Sequence, residues 1–75
     1  MSYGLGKRRS KLGRWFDARG MKQGWLIDNA GVNKNTASAL CNDPNYSPTL
    51  PTIRKIIKAL RRIDPNVNAS DFWDV

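Results

Sequence analysis

Lys34, Asn35 and Ser38 lie within five positions of one another and have side chains that can hydrogen-bond to the edges of bases. A Lys ammonium donates to O6 and N7 of guanine, an Asn amide pairs with N6 and N7 of adenine, and a Ser hydroxyl can bond to several bases. Their spacing puts them on the polar side of a helix, where the hydroxyl of Thr36 could also reach a phosphate or a base edge. These residue types suit base reading in the major groove of DNA. The alternative is that these residues are only the solvated side of a surface helix.

The residue types that enzymes and metal sites need are scarce. The chain has no His and no Glu, and Cys41 is its one cysteine. The usual general base, most metal ligands and an internal disulfide are therefore missing. We expect no enzymatic activity, no metal, no cofactor and no small-molecule ligand. No apolar run reaches membrane-spanning length and no signal peptide is evident, so we expect a cytoplasmic protein without membrane contact.

The positive charge is concentrated in the first half of the chain. The 75 residues carry a net charge of +7; residues 1–34 hold eight Lys and Arg against two Asp, and residues 35–75 hold five against four. This asymmetry indicates a polyanionic partner, although a basic composition also serves solubility. We expect residues 1–6 to be flexible. Lys7, Arg8 and Arg9 form either a basic arm along a phosphate backbone or a solvated first turn.

Two short helices, predicted over residues 21–30 and 34–41, must position the base-reading side chains. Gly31 stands where a helix ends in the left-handed conformation, which a residue without Cβ adopts at little cost. Val32 is apolar and can fill the corner, and Asn33 is a favoured N-cap. Two helices joined by a short turn with a glycine are typical of the helix-turn-helix unit.

A first helix over residues 8–19 should contribute Leu12, Trp15 and Phe16 to the core. Gly13 weakens this helix relative to alanine, and Gly20 ends it.

Two further segments complete the expected bundle. A longer helix starts after Thr49, and its apolar stripe should form the floor of the core. The stripe consists of Leu50, Ile53, Ile56, Ile57, Leu60 and Ile63. A short capped helix after Asn68 carries Phe72 and Trp73. One of these two aromatics should close the core, and the other either joins it or packs against a second copy. We therefore predict a single all-α domain over residues 1–75, a compact bundle of four to five short helices around a central helix-turn-helix.

The segment around this turn resembles the helix-turn-helix of the Cro/repressor-type regulators of phages and bacteria. The residues that carry the resemblance are Gln23, Leu26, the run Ala30-Gly31-Val32-Asn33, and Thr36. The resemblance continues through residues 48–53 and 56–60, where that family has its fourth helix, and covers roughly residues 8–62. It implies a lambda-repressor-like DNA-binding domain in a bacterial cell or phage-infected host, associated with the nucleoid. The implied function is transcription regulation, for which we expect a repressor, with residues 34–41 as the recognition helix in the major groove.

The resemblance also implies contacts to the DNA backbone. The family residue that matches Gln23 meets a phosphate at the start of the second helix, where free N–H groups favour an anion. The loop after the recognition helix runs along the backbone in that family, although Asp43 would repel a phosphate here. The loop residues with suitable donors are Asn42, Asn45, Tyr46 and Ser47.

The sequence departs from the family at one pair of positions. Many members place a buried Arg in the first helix against a buried Glu in the third, and Phe16 and Cys41 occupy the matching positions here. Packed apolar groups often replace a buried ion pair without loss of stability. We predict that Phe16 and Cys41 touch in the core, which would make Cys41 structural rather than reactive.

Double-stranded DNA is the partner expected under this interpretation, with a homodimer through Phe72 and Trp73 as a further possibility. Two other functions remain open. The chain could be a protein-interaction module, an anti-repressor or integration accessory, that presents Trp25, Phe72 and Trp73; Trp25 could instead pack over Met21. It could also be a nonspecific nucleoid or RNA binder without base preference.

Overall fold

The computed structural model describes residues 9–74, and in this range the chain forms four α-helices, one 3-10 turn and no strand. The helices are α1 (Lys11–Ala18), α2 (Gly24–Ala30), α3 (Lys34–Asn42) and α4 (Leu50–Leu60), and the 3-10 turn covers Ala69–Asp71. This confirms the predicted small all-α bundle. The expectations about residues 1–6, Lys7 and Arg8 lie outside the described residues.

Helix α1 begins at a side-chain cap and ends at a left-handed glycine. The Ser10 hydroxyl accepts a hydrogen bond from the Gly13 N–H at 2.9 Å, which satisfies one of the donors left free at a helix start. Gly20 follows the helix with a φ of +66°. Both ends are therefore set by local residue types, as the sequence indicated for Gly20.

Helix α2 is shorter than predicted at its beginning. The Met21 N–H donates to the Phe16 carbonyl at 2.9 Å, so the chain at Met21 is still bound to the end of α1. Gln23 then occupies the N-cap position without a side-chain cap, and the first helical residue is Gly24. The predicted start at residue 21 was wrong for this reason. Gly31 ends α2 in the left-handed conformation, with a φ of 69° and a ψ of 23°.

Helix α3 starts at the cap that the sequence predicted. Asn33 is extended, and its side-chain oxygen accepts the Thr36 N–H at 2.7 Å. Gly31 and Asn33 together end one helix and begin the next within a three-residue connection.

Replacing Asn33 with Ala should lower the free energy of unfolding by about 1 kcal/mol, because the Thr36 N–H loses its cap. Thr49→Ala is the matched control, since Thr49 is the N-cap of α4 but its hydroxyl caps no backbone N–H and instead makes an exposed contact with the Thr52 hydroxyl, at 3.1 Å. Urea denaturation followed by circular dichroism measures both. Equal losses in the two variants would show that the Asn33 bond adds nothing.

Helix α4 supplies the largest part of the apolar floor, but its stripe is shorter than predicted. Ile53, Ile56, Ile57 and Leu60 are buried. Leu50 is 62% exposed and Ile63 is 42% exposed, so both were wrongly assigned to the core. Leu50 is the first helical residue, and the chain buries Pro48 before it instead. Ile63 lies beyond the last helical residue, Leu60, where helical spacing no longer holds.

The core lies where α3 packs on α1 and α2, and where α4 packs on α2 and the 3-10 turn. Its largest fully buried side chains are Phe16, Leu12, Leu26, Leu40, Ile56, Leu60 and Cys41. Phe16 meets the half-buried Trp25 edge-on, with ring centroids 5.9 Å apart. Phe72 is buried and meets Trp15 edge-on at 6.2 Å. Trp25 therefore packs against the core, and Phe72 is the aromatic that closes it.

Backbone approaches backbone where α1 crosses the end of α3. The Ser10 N–H donates to the Cys41 carbonyl at 3.1 Å, and the Ser10 hydroxyl bonds to the Leu40 carbonyl. A Cβ on Gly13 would lie 2.1 Å from the Cys41 carbonyl oxygen. Gly13 thus allows α1 and α3 to approach each other closely. The sequence indicated only that Gly13 weakens the first helix.

None of the helices in residues 9–74 combines the length and the apolar character needed to cross a membrane.

Candidate nucleic-acid interface

The first turn of α3 presents the two leading base-reading candidates to solvent. Lys34 and Asn35 are exposed, and Ser38 and Thr36 are half-buried. The nine residues of α3 include no acidic side chain that could neutralise Lys34 within the helix. Lys34, Asn35 and Ser38 are thus accessible to a partner from the outer side of α3.

Ser38 belongs to a chain of polar contacts that leads from α3 to α1. The side-chain amide of Asn42 donates from Nδ2 to the Ser38 hydroxyl at 3.3 Å, and its Oδ1 accepts a bond from the Arg9 guanidinium. Arg9 also donates to both carboxylate oxygens of Asp17, at 3.0 and 2.9 Å. The Ser38 hydroxyl is thus held as an acceptor by Asn42.

This network changes the roles expected of Arg9 and Asn42. Arg9 bridges α1 and α3, whereas the sequence suggested an arm or a solvated turn. Asn42 uses both ends of its amide within the domain, so the predicted phosphate contact would compete with existing bonds. The side chain of Asn42 is therefore better placed to hold the side chains of Arg9 and Ser38 than to contact DNA.

The loop after α3 is folded by Asp43. Its carboxylate accepts the Asn45 N–H at 2.9 Å, and its carbonyl accepts the Tyr46 N–H at 3.1 Å. A carboxylate that bonds the backbone two residues later is the usual Asx turn. Asp43 therefore shapes the loop, which accounts for an acidic residue in a segment expected to run along phosphates.

The loop faces α1 and the C-terminal segment across a groove of about 430 Å³. Three of the predicted phosphate contacts, Asn45, Tyr46 and Ser47, line it. The other lining residues are Arg9, Lys11, Arg14, Pro44, Phe72, Trp73 and Asp74. Three cations and one carboxylate thus surround the groove, and polar donors of the loop lie among them.

Lys11 and Arg14 are the groove residues that sequence reasoning passed over. Both are exposed, one turn apart on α1, and neither forms an ion pair within residues 9–74. At helical spacing they fall opposite the apolar stripe of Leu12, Trp15 and Phe16, where cations usually serve only solvation. Their role in the groove depends on the fold, which brings the loop after α3 opposite them.

Gln23 lies outside this groove. It is half-buried before α2, and its carbonyl accepts the Leu26 N–H at 3.0 Å. The Trp25 N–H is similarly bonded to the Lys22 carbonyl at 3.0 Å. Because these two N–H groups are occupied, the start of α2 offers a phosphate fewer donors than the resemblance implied.

Cys41 is fully buried in the same core cluster as Phe16. Burial raises the pKa of the Cys41 thiol; the positive charge of Arg9 acts against this shift, and the negative charge of Asp17 adds to it. A buried thiol with a raised pKa contains little of the reactive thiolate. This agrees with the structural role predicted for Cys41.

The aromatic residues considered as an interaction surface are not equivalent. Trp25 and Phe72 make aromatic contacts with core residues. Trp73 is half-buried, contacts Phe72 at 5.6 Å and lines the groove. Trp25 and Trp73 are both half-buried, and Trp73 is the one of the two that lines the groove.

Comparison of the chain with protein-family models, curated proteins and solved structures found no match.

Proposed function

We propose that this protein is a non-enzymatic, sequence-specific binder of double-stranded DNA that acts in the cytoplasm as a small transcriptional regulator, most simply a repressor of the Cro type. In this proposal α2, the turn and α3 form a helix-turn-helix unit, and α3 enters the major groove. The observation that carries the proposal is the exposed first turn of α3, where Lys34 and Asn35 follow the Gly31 turn and the Asn33 cap.

Base reading needs side chains with defined positions. Lys34 and Asn35 stand in the turn of α3 that the Asn33 cap fixes, and the Ser38 hydroxyl is oriented by Asn42. A Lys and an Asn at the start of a recognition helix match guanine and adenine edges, respectively. These three residues are the proposed base-reading set.

Backbone binding would come from the groove between α1 and the loop. The Ser38–Asn42–Arg9 contacts connect the polar side of α3 to this groove. Lys11 and Arg14 would then join Asn45, Tyr46 and Ser47 in binding phosphates, with Thr36 and Gln23 as further contacts. Such contacts fix the register of the protein on the duplex without carrying sequence information.

In this proposal a second copy of the chain would lengthen the DNA-binding surface. Since Phe72 closes the core, Trp73 is the residue we propose at a two-fold contact. A dimer of this kind predicts a palindromic site whose half-sites are about 34 Å apart.

Binding-site selection from random duplexes tests the function directly. We expect one preferred sequence for the unmodified protein. Lys34→Ala and Asn35→Ala should each cost about 1–3 kcal/mol on that sequence and relax the preference at single positions. Lys55→Ala, which removes an exposed charge from α4 outside the groove, is the control and should leave the preference unchanged.

Lys11→Ala and Arg14→Ala distinguish the backbone contribution. Each should weaken all duplexes alike and reduce the slope of log K against log salt by about one. If Lys34→Ala and Asn35→Ala behave in this same sequence-blind way, α3 does not read bases and the chain is a nonspecific binder.

A further inference from the structure

Asp17 belongs to the polar contacts between α1 and α3, although it lies in the basic half of the chain. One of its carboxylate oxygens accepts a bond from Nε of Arg9 at 3.0 Å, and the other accepts one from Nη2 at 2.9 Å. Two parallel bonds of this kind hold a side chain in place even where an ion pair is exposed. The third nitrogen of the guanidinium, Nη1, donates to Oδ1 of Asn42. Asp17 thus determines the direction in which Arg9 points.

The position of Arg9 fixes the orientation of the Asn42 amide. A guanidinium carries only donors, so the amide atom beside it must be the oxygen. The amide nitrogen of Asn42 then faces Ser38, one turn earlier on α3, and donates to its hydroxyl at 3.3 Å. If Arg9 turned away, the amide could rotate by half a turn and present its oxygen to Ser38. The two orientations occupy nearly the same volume, so the donors of Arg9 select between them.

The orientation of Asn42 decides the hydrogen-bonding role of Ser38. With the amide nitrogen facing it, the Ser38 hydroxyl is the acceptor, and its hydrogen is not directed at Asn42. With the amide oxygen facing it, the hydroxyl would donate to Asn42 and would have only lone pairs to offer a base. A donor suits O6 of guanine or O4 of thymine, whereas an acceptor suits the amino groups of adenine and cytosine. The amide orientation therefore affects which bases Ser38 can read.

We propose that Asp17 and Arg9 are positioning residues for base reading, which act through Asn42 to keep Ser38 in one hydrogen-bonding role. This inference rests on the proposed function as a sequence-specific DNA binder. Neither Asp17 nor Arg9 needs to touch a base. Asp17 contributes selectivity although its own charge repels DNA.

Asp17 also has an effect on affinity. Arg9 lines the groove between α1 and the loop, where the proposed phosphate contacts lie. Because Asp17 occupies donors on two of its nitrogens, Arg9 is withheld from phosphates. Asp17 therefore lowers the affinity for every duplex while it raises the selectivity for one. A residue that only stabilised the fold would support affinity and selectivity alike, so the loss of Asp17 separates the two roles.

Asp17→Ala and Asp28→Ala are the matched variants. Both remove one negative charge from an exposed helical residue, and Asp28 forms no ion pair within residues 9–74. Binding-site selection with Ser38→Ala first identifies the base pair at which that hydroxyl matters. Selectivity at this base pair should fall by about twofold to tenfold in Asp17→Ala, the range that one hydrogen bond supplies, and should stay unchanged in Asp28→Ala.

Salt dependence measures the release of Arg9. Removal of one negative charge should raise the affinity for random duplexes in both variants. In Asp17→Ala alone, the released guanidinium should add a phosphate contact and steepen the slope of log K against log salt by about one.

Arg9→Lys tests the same contacts without a change of charge. An ammonium lacks the planar set of donors that binds two carboxylate oxygens and the Asn42 oxygen together. This variant should therefore lose selectivity at the Ser38 base pair. Arg14→Lys is the control, since Arg14 is an exposed residue of the same groove without an ion pair, and it should keep that selectivity. Circular dichroism confirms that all variants are folded.

A measurement without DNA keeps this inference apart from the proposed function. In proton–nitrogen correlation NMR spectra of the free protein, the signals of the Asn42 side-chain amide should shift in Asp17→Ala and in Arg9→Lys but not in Asp28→Ala. Unshifted signals in the first two variants would show that Asp17 and Arg9 do not act through Asn42.

The DNA results separate the remaining outcomes. No preferred sequence for the unmodified protein would overturn the proposed function and this inference with it. A preferred sequence that Ser38→Ala leaves unchanged would overturn the inference alone, as would full selectivity at the Ser38 base pair in both Asp17→Ala and Arg9→Lys. Equal loss of selectivity at every base pair in these two variants would show a general structural role instead of a positioning role.

Discussion

Gly13→Ala is expected to destabilise the domain by about 2 kcal/mol, although alanine is the better helix former. The new Cβ would lie 2.1 Å from the carbonyl oxygen of Cys41 and 3.0 Å from its carbonyl carbon. Both atoms belong to the backbone, so no side chain can rotate away and α1 must shift from α3. Overpacking of this kind costs about 1–3 kcal/mol, and the gain in helix propensity of about 0.5–1 kcal/mol offsets only part of it.

The shift would also weaken the bonds that join the two helices. The Ser10 N–H and hydroxyl bond to the carbonyls of Cys41 and Leu40, directly beside Gly13. Leaving such a buried group unsatisfied costs about 1–3 kcal/mol, so even a partial loss of these bonds adds to the net overpacking cost and brings the expected destabilisation to about 2 kcal/mol.

Gly24→Ala is the matched control for Gly13→Ala. Gly24 is the first residue of α2, and a Cβ there would meet no atom within 4 Å. This change should be neutral or stabilise the domain by up to about 1 kcal/mol through the unfolded state. Urea denaturation of the two variants and the unmodified protein measures the difference. A Gly13→Ala variant as stable as Gly24→Ala would mean that α1 and α3 do not approach as described.

The contrast between Gly13 and Asn33 shows which parts of the fold could be read from the sequence. Asn33 caps a helix through its own neighbour three residues on, so its role follows from local spacing. The role of Gly13 depends on Cys41, 28 positions away, and no pattern near Gly13 reveals it. Local rules predicted the Gly31 turn and the Asn33 cap, whereas contacts between helices decided the rest.

The same distinction between local and long-range contacts applies to the residues of the candidate site. Exposure of Lys34 and Asn35 follows from the polar side of one helix, and the sequence predicted it. The bridge from Arg9 to Asn42 and Asp17 joins residues far apart in the chain, so the sequence suggested only a basic arm or a solvated first turn for Arg9. The prediction that both ends of the α4 stripe are buried was wrong for a related reason. Helical spacing assigned Leu50 and Ile63 to the core without regard to where the helix stops.

Phe16→Arg is expected to cost about 4 kcal/mol or more, because it places an unpaired charge at a position with no exposed area. A domain of 75 residues has a total stability of roughly 4–11 kcal/mol, so much of this variant should be unfolded. Cys41→Glu should be similarly damaging, since Cys41 is also fully buried. Urea denaturation in a stabilising osmolyte background keeps both variants measurable.

The double variant Phe16→Arg/Cys41→Glu tests whether these two core positions face each other. If they do, the new charges pair in the manner of the resembled family, and the double variant should recover at least about 2 kcal/mol relative to the sum of the single losses. Phe16→Arg/Leu60→Glu is the control, with the same two charges but the carboxylate on α4, at another fully buried position. Recovery only in the Cys41 pair would establish the contact, because general tolerance of buried charge would rescue both pairs. Equal instability of the two double variants would show that the apolar side chains of Phe16 and Cys41 fill separate parts of the core. The packing of α1 on α3 would then depend on the backbone contacts at Gly13 rather than on this pair.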